Sequence, residues 1–262
     1  MKSLRYYLVL FCCGALMACG GGAGSGSSES GEESSSNLTN SEKAQLVAAA
    51  LTTNQGGVGE DIATVTNAAT GGVSRQAQLR DDALNLSITV EVDFYDAQGN
   101  PQDRYDAQTT DQIDYRSVIE GDIIRSNGYF DELIIDNRAD FSVDDILSRL
   151  ALINGRHTNH SEYRRTQNIT SASIRFTLDS ELTMTGVTVD LDAADRFPES
   201  GIIEGELEGT YERSGPVWQE TRQFRFYFIA TYLGDNTAEV ELTDGTTYIV
   251  HLNDGEVVPI ND

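Results

Sequence analysis

The chain reads as mainly β: an antiparallel up-and-down meander that forms a barrel or a partly closed barrel, with a two-layer β-sandwich as the alternative. Three observations predict this class. Apolar and polar residues alternate with period two over long stretches from Leu84 onward. Clusters rich in Gly, Asp and Asn punctuate those stretches at hairpin spacing. The βαβ rhythm of a parallel sheet is missing from the pattern. Roughly eight to eleven strands are too many for one flat sheet, so the sheet must curl or stack.

Two short helices come first. Asn40 or Ser41 is placed to cap a helix through Glu42–Leu51, which is alanine-rich and is ended by Gly56-Gly57. A second helix over Gly59–Ala69 sets Ile62, Val65 and Ala69 on one face, with Gly71-Gly72 closing it. Residues 41–72 thus make a short helical segment, and 79–262 an antiparallel β domain.

The strands follow in order. Leu84, Leu86, Ile88, Val90, Val92 and Phe94 alternate with polar residues, and Asp96–Pro101 is a turn by composition. Further strands are predicted near Ile113–Ile124, Tyr129–Ile135 and Leu150–Thr166. A short helix is predicted to start at Ser142, with Asp145 at the capping-box position. Apolar residues are even-numbered from Ile174 to Met184 and odd from Val187 to Leu191, so the phase flips at Thr185-Gly186, which predicts a β-bulge.

In the last quarter the apolar residues are even again, from Phe224 through Val240 and Val250 to Val258 and Ile260. Even residues stay on one face only if each hairpin loop holds an odd number of residues. Three-residue loops at Gly234-Asp235-Asn236, Thr243-Asp244-Gly245 and Asn253-Asp254-Gly255 satisfy this. They predict the pairs Ala230 with Val240, Val240 with Tyr248, and Val250 with Val258. Pro259 suits an edge strand, since it has no N–H to give a ladder.

The first residues carry a different signal. Lys2 and Arg5 precede an apolar run from Tyr6 to Leu16, too short for the ~20 residues that cross a bilayer. Leu16-Met17-Ala18-Cys19 then leads into a stretch rich in Gly and Ser. This order resembles the lipobox of bacterial lipoproteins. The resemblance covers residues 1–19 and implies a signal peptide over 1–18, cleavage before Cys19 and two or three acyl chains on that residue. It implies a partner, the lipid bilayer, and an address in the bacterial cell envelope. Gly21 at the second position of the mature chain resembles outer-membrane sorting in a Gram-negative cell. Residues 19–40 read as the lipidated cysteine and a flexible tether carrying Glu29, Glu32 and Glu33. Acidic residues there are also similar to surface-export signals of some Bacteroidota lipoproteins. Cys12 and Cys13 lie in the leader, so Cys19 is the last cysteine of the sequence and the domain beyond it has no disulfide.

The formal charge is −24, and loss of Lys2 and Arg5 takes it to −26. Nucleic acid and anionic lipid surfaces are therefore poor partners. Solubility in high salt, binding of divalent cations and binding of a basic partner all remain open readings of this acidity.

Catalytic motifs are missing: there is no Gly-x-Ser-x-Gly, no His-Glu-x-x-His and no phosphate-cradling glycine loop. No cofactor is implied. His157 and His160 should point to opposite faces of a strand. Asp190, Asp192 and Asp195 resemble a calcium loop but lack the glycine at the sixth position and the glutamate at the twelfth. They are the weak metal candidates. Phe224, Phe226, Phe228 and Tyr232 share one face of a strand and are the candidates to line a lumen for an apolar ligand. The expected function is a non-enzymatic envelope or surface protein acting in binding or structure. The alternatives are a lipocalin-like carrier and, third, a calcium-dependent module or envelope hydrolase.

Overall fold

A computed structural model describes residues 38–52, 57–72, 76–81, 85–126, 129–167 and 172–260. The leader, Cys19 and all but the end of the tether lie outside the described residues.

The chain enters through helix α1 (Asn40–Leu51) and helix α2 (Val58–Ala68). Thr39, one residue earlier than expected, caps α1. Its backbone N–H and hydroxyl donate to Glu42 Oε2 at 2.8 and 2.9 Å, and its Oγ1 accepts from the Glu42 N–H. This reciprocal capping box uses the glutamate three positions on. On α2, Ile62, Val65 and Ala69 are buried together, as their spacing predicts.

Then come the strands β1 (Gln76–Asp81), β2 (Leu86–Asp96), β3 (Pro101–Gln102), β4 (Thr110–Ser126), β5 (Tyr129–Asp144), β6 (Leu150–Gln167), β7 (Ser173–Asp190), β8 (Pro198–Gly215), β9 (Trp218–Gly234), β10 (Thr237–Leu242), β11 (Thr247–His251) and β12 (Val257–Pro259). Every pairing is antiparallel and the order is that of the sequence, with β3 alone off the path beside β2. The meander is open: among the described ladders β1 does not pair with β12. One apolar core nevertheless runs from Val92 on β2 to Val250 on β11 and includes both helices. The open sheet therefore presents one concave apolar face, and α1 and α2 pack on it. Burying an Ile62 or a Val65 there contributes roughly 1.5–3 kcal/mol each.

Two local expectations are corrected. β5 runs on to Asp144, well past Ile135, and no helix starts at Ser142; only one 3-10 turn, Ile146–Ser148, follows. Asp145 and Arg149 bracket it in left-handed backbone, which makes the segment a tight β5–β6 connection. The inward residues after Ile135 include Asn137 and Ala139, so the apolar alternation that marks a strand fades there although the ladder continues.

The second correction is in the last hairpin. The first two pairings are as expected: Ala230 faces Val240, and Val240 faces Tyr248. At β9–β10 a two-residue turn, Asp235-Asn236 with φ of 50° and 61°, is followed by a bulge, and together they give the odd offset. At β10–β11 the loop is Thr243-Asp244-Gly245, with Gly245 at φ +80°. At β11–β12, however, the His251 N–H donates to the Glu256 carbonyl, so the loop holds an even number of residues. Val250 pairs with Val257, and Val258 and Ile260 are exposed rather than buried. The predicted phase flip at Gly186 is present: φ is +62° and the β7–β8 register shifts between Thr185 and Thr188.

Candidate functional site

The concave face carries a polar junction inside the apolar core. Asp61, in the first turn of α2, sits at its centre. Its Oδ2 lies 2.9 Å from His157 Nδ1 on β6. Its Oδ1 accepts from Ser117 Oγ at 3.1 Å and lies 3.4 Å from the Tyr115 hydroxyl, both on β4. His157 is 2% exposed. Burial, and then the charge of Asp61, make the Tyr115 hydroxyl harder to ionise.

The chemistry of this junction follows from its order. In a nucleophile relay the imidazole stands between hydroxyl and carboxylate and takes the hydroxyl proton. Here the carboxylate stands between hydroxyl and imidazole, so Ser117 donates to Asp61 and not to His157. The arrangement joins α2 to β4 and β6. Nearby on the inner face Asn137 is buried, and its Oδ1 has no partner among the described residues.

A second set of contacts holds α1. Arg222 Nη1 on β9 donates to the buried Glu42 Oε1 at 3.3 Å. Asn40 Nδ2 donates to Thr246 Oγ1 at 2.9 Å, and Lys43 Nζ lies 4.0 Å from Asp244. Lys43 also stands over the Phe226 ring, 5.9 Å from its centroid.

The lumen candidates are on the concave face, as their alternation requires. Phe224, Phe226, Phe228 and Tyr232 are all buried. Phe224 stacks with Phe176 at 6.2 Å and meets Phe226 at 6.2 Å. Phe224 and Phe228 also lie over Gly209 and Gly205 of β8, filling the space where a side chain would stand. The row is packed core beneath helix α1. The buried Tyr232 hydroxyl has no partner among the described residues, and burial makes it hard to ionise.

The metal candidates do not assemble. Asp192 Oδ1 accepts from Arg149 Nε and Nη2 at 3.0 and 2.8 Å, and Asp190 Oδ1 accepts the backbone N–H of Asp192. Among the described residues no group of three or more His, Cys, Asp or Glu could hold a metal ion. His157 and His160 do face opposite ways: His160 is on the convex face, 2.6 Å from Asp179.

The convex face is laced with charge. Glu162 accepts from Arg164 and, at 2.7 Å, from Arg175. Burial works against its charge, but these guanidinium hydrogen bonds hold its carboxyl below the ordinary value of 4.5. Arg175 also reaches Glu212 at 3.9 Å, Arg156 reaches Glu181, and Arg225 bonds Glu206. Alternation along β8 puts Glu206 and Glu212 on one strand face, but the arginines that cross them are not legible in the sequence, because the pairing lies between strands.

No family model, curated protein or solved structure matches the chain. No helix among the described residues is long and apolar enough to cross a membrane.

Proposed function

We propose that this protein is a lipid-anchored, extracytoplasmic envelope module that acts by binding or structure rather than by catalysis. Cys19 carries the anchor, and the acidic Gly/Ser segment holds the domain off the membrane. If the cell is Gram-negative, the outer membrane is its place.

The observation that carries this reading is the order of the N-terminal residues. Lys2 and Arg5, the apolar run, Leu16-Met17-Ala18-Cys19 and the Gly/Ser stretch follow in the sequence of a lipoprotein leader. Acyl chains contribute about 0.8 kcal/mol per buried methylene, so two or more make stable attachment without a spanning helix. A binding or structural role is further supported by the Asp61 junction, whose order suits anchoring more than proton relay. Packing of the aromatic row favours core over carrier.

Metabolic labelling with an alkyne palmitate, with mass spectrometry of the mature N-terminus, tests the proposal. The expected result is a diacylglycerol-modified Cys19 as first residue and loss of label in Cys19→Ala. A mature chain that starts elsewhere, or a free thiol at Cys19, overturns it.

A further inference from the structure

We propose that the convex face of β8–β12 docks a protein partner whose surface presents aliphatic side chains flanked by lysine or arginine. The inference concerns this face alone and does not depend on the lipid anchor.

The first observation is an apolar patch. Ile202, Tyr227, Ile229, Leu233 and Val258 are each 40–51% exposed. They are neighbours. Ile202 pairs with Thr231 on β9, whose same-face neighbours two residues away are Ile229 and Leu233. Thr231 pairs onward with Glu239, Glu239 with Ile249, and Ile249 with Val258. Same-face neighbours along a strand are about 7 Å apart, so these side chains form one surface. Exposed apolar groups gathered in a patch, unlike scattered ones, mark interaction sites.

The second observation is charge. Ile229 lies between Glu204 of β8 and Glu241 of β10, and Glu239 stands beside them. None of these three carboxylates has a described cation within 4.0 Å. Elsewhere on the convex face the pattern differs: Glu162, Glu181, Glu206 and Glu212 are each crossed by an arginine.

The partner's chemistry follows from the two together. The apolar side chains supply desolvation, and the three carboxylates interleaved with them, with no described cation, select positive charge. A second copy of this chain would bring glutamate rows face to face. An anionic bilayer surface would be repelled in the same way.

The test uses the purified full-length protein and a fluorescent peptide of alternating leucine and lysine as probe. Anisotropy should report binding that weakens with salt. It should weaken about tenfold in Ile229→Ser/Leu233→Ser and in Glu204→Gln/Glu241→Gln. The control Glu181→Gln/Glu208→Gln removes equal charge from the same face outside the patch and should change binding little. All substituted side chains are on the surface, and circular dichroism checks the fold. The proposal is overturned if the control weakens binding as much as the patch variants, which would mean general attraction to an acidic protein. It is also overturned if a serine–lysine peptide binds as tightly, or if the protein forms a dimer that Ile229→Ser dissolves.

Discussion

Asp61 Oδ2 and His157 Nδ1 meet at 2.9 Å although the residues are 96 positions apart in the chain. The contact joins the second helix to the middle of the sheet. It answers how the helical segment and the β domain become one body: the polar junction sets where α2 rests, and the apolar face around it supplies most of the energy.

Removing the carboxylate should therefore destabilise the fold. Asp61→Ala leaves Ser117 Oγ and the His157 ring, both buried, without their acceptor. The expected loss is about 1–3 kcal/mol, the cost of unsatisfied buried polar groups. Urea unfolding measures it. A cycle with His157→Ala should be less than additive, since the two share one interaction; full additivity would show that they do not couple.

Glu162 predicts a pH dependence. Its folded pKa is lowered, so the native state binds fewer protons than the unfolded one as pH falls past the ordinary value of 4.5. Its contribution to stability is present above that value and is lost as pH drops through the lower, folded one. Urea midpoints measured from pH 6 downward should fall less steeply for Glu162→Gln than for the parent. Parallel slopes would mean that the arginine pairs do not set its titration.

Gly205 and Gly209 should tolerate a methyl unequally. A Cβ at Gly209 meets the Thr177 carbonyl oxygen at 2.2 Å, which is backbone held in the β7–β8 ladder. At Gly205 the nearest atoms are side-chain atoms of Leu182 and Phe228, at 2.5 and 2.7 Å, which can shift. Overpacking costs about 1–3 kcal/mol. Gly209→Ala should fall at or above the top of that range and Gly205→Ala below it in thermal unfolding. The reverse order would refute the packing described.

Glu42 has two duties, capping α1 and receiving Arg222. Glu42→Ala should cost about 1–2 kcal/mol, as loss of a helix cap does. Glu42→Gln keeps an acceptor for Thr39 and should cost less. Chemical denaturation gives both values, and an equal loss in the two variants would assign the effect to the ion pair with Arg222, which both remove, instead of to the cap.

Much of the fold was legible because alternation is local. Phe224, Phe226 and Phe228 declare a shared face within five residues of each other, and the phase change at Gly186 is visible without any partner strand. Ile62 and Val65 likewise announce the buried face of α2. β5 reads as ending early because Asn137 and Ala139 point inward without a strong apolar signal. Val258 reads as inward because Asn253-Asp254-Gly255 looks like an odd loop, and one added residue reverses every side chain after it. At the candidate site His157 could be assigned a face, but nothing near it in the chain pointed to Asp61.

By itself the sequence determined the antiparallel meander, the helical entry and most strand faces, since period and turn chemistry act between near neighbours. Tertiary structure alone decided that the helices lie on the concave face, that the aromatic row is packed core, and that arginines cross glutamates of β6–β9 while those flanking Ile229 have no cation among the described residues. Those outcomes depend on distances between strands and helices far apart in the chain, and only the curled sheet brings them within a few ångströms.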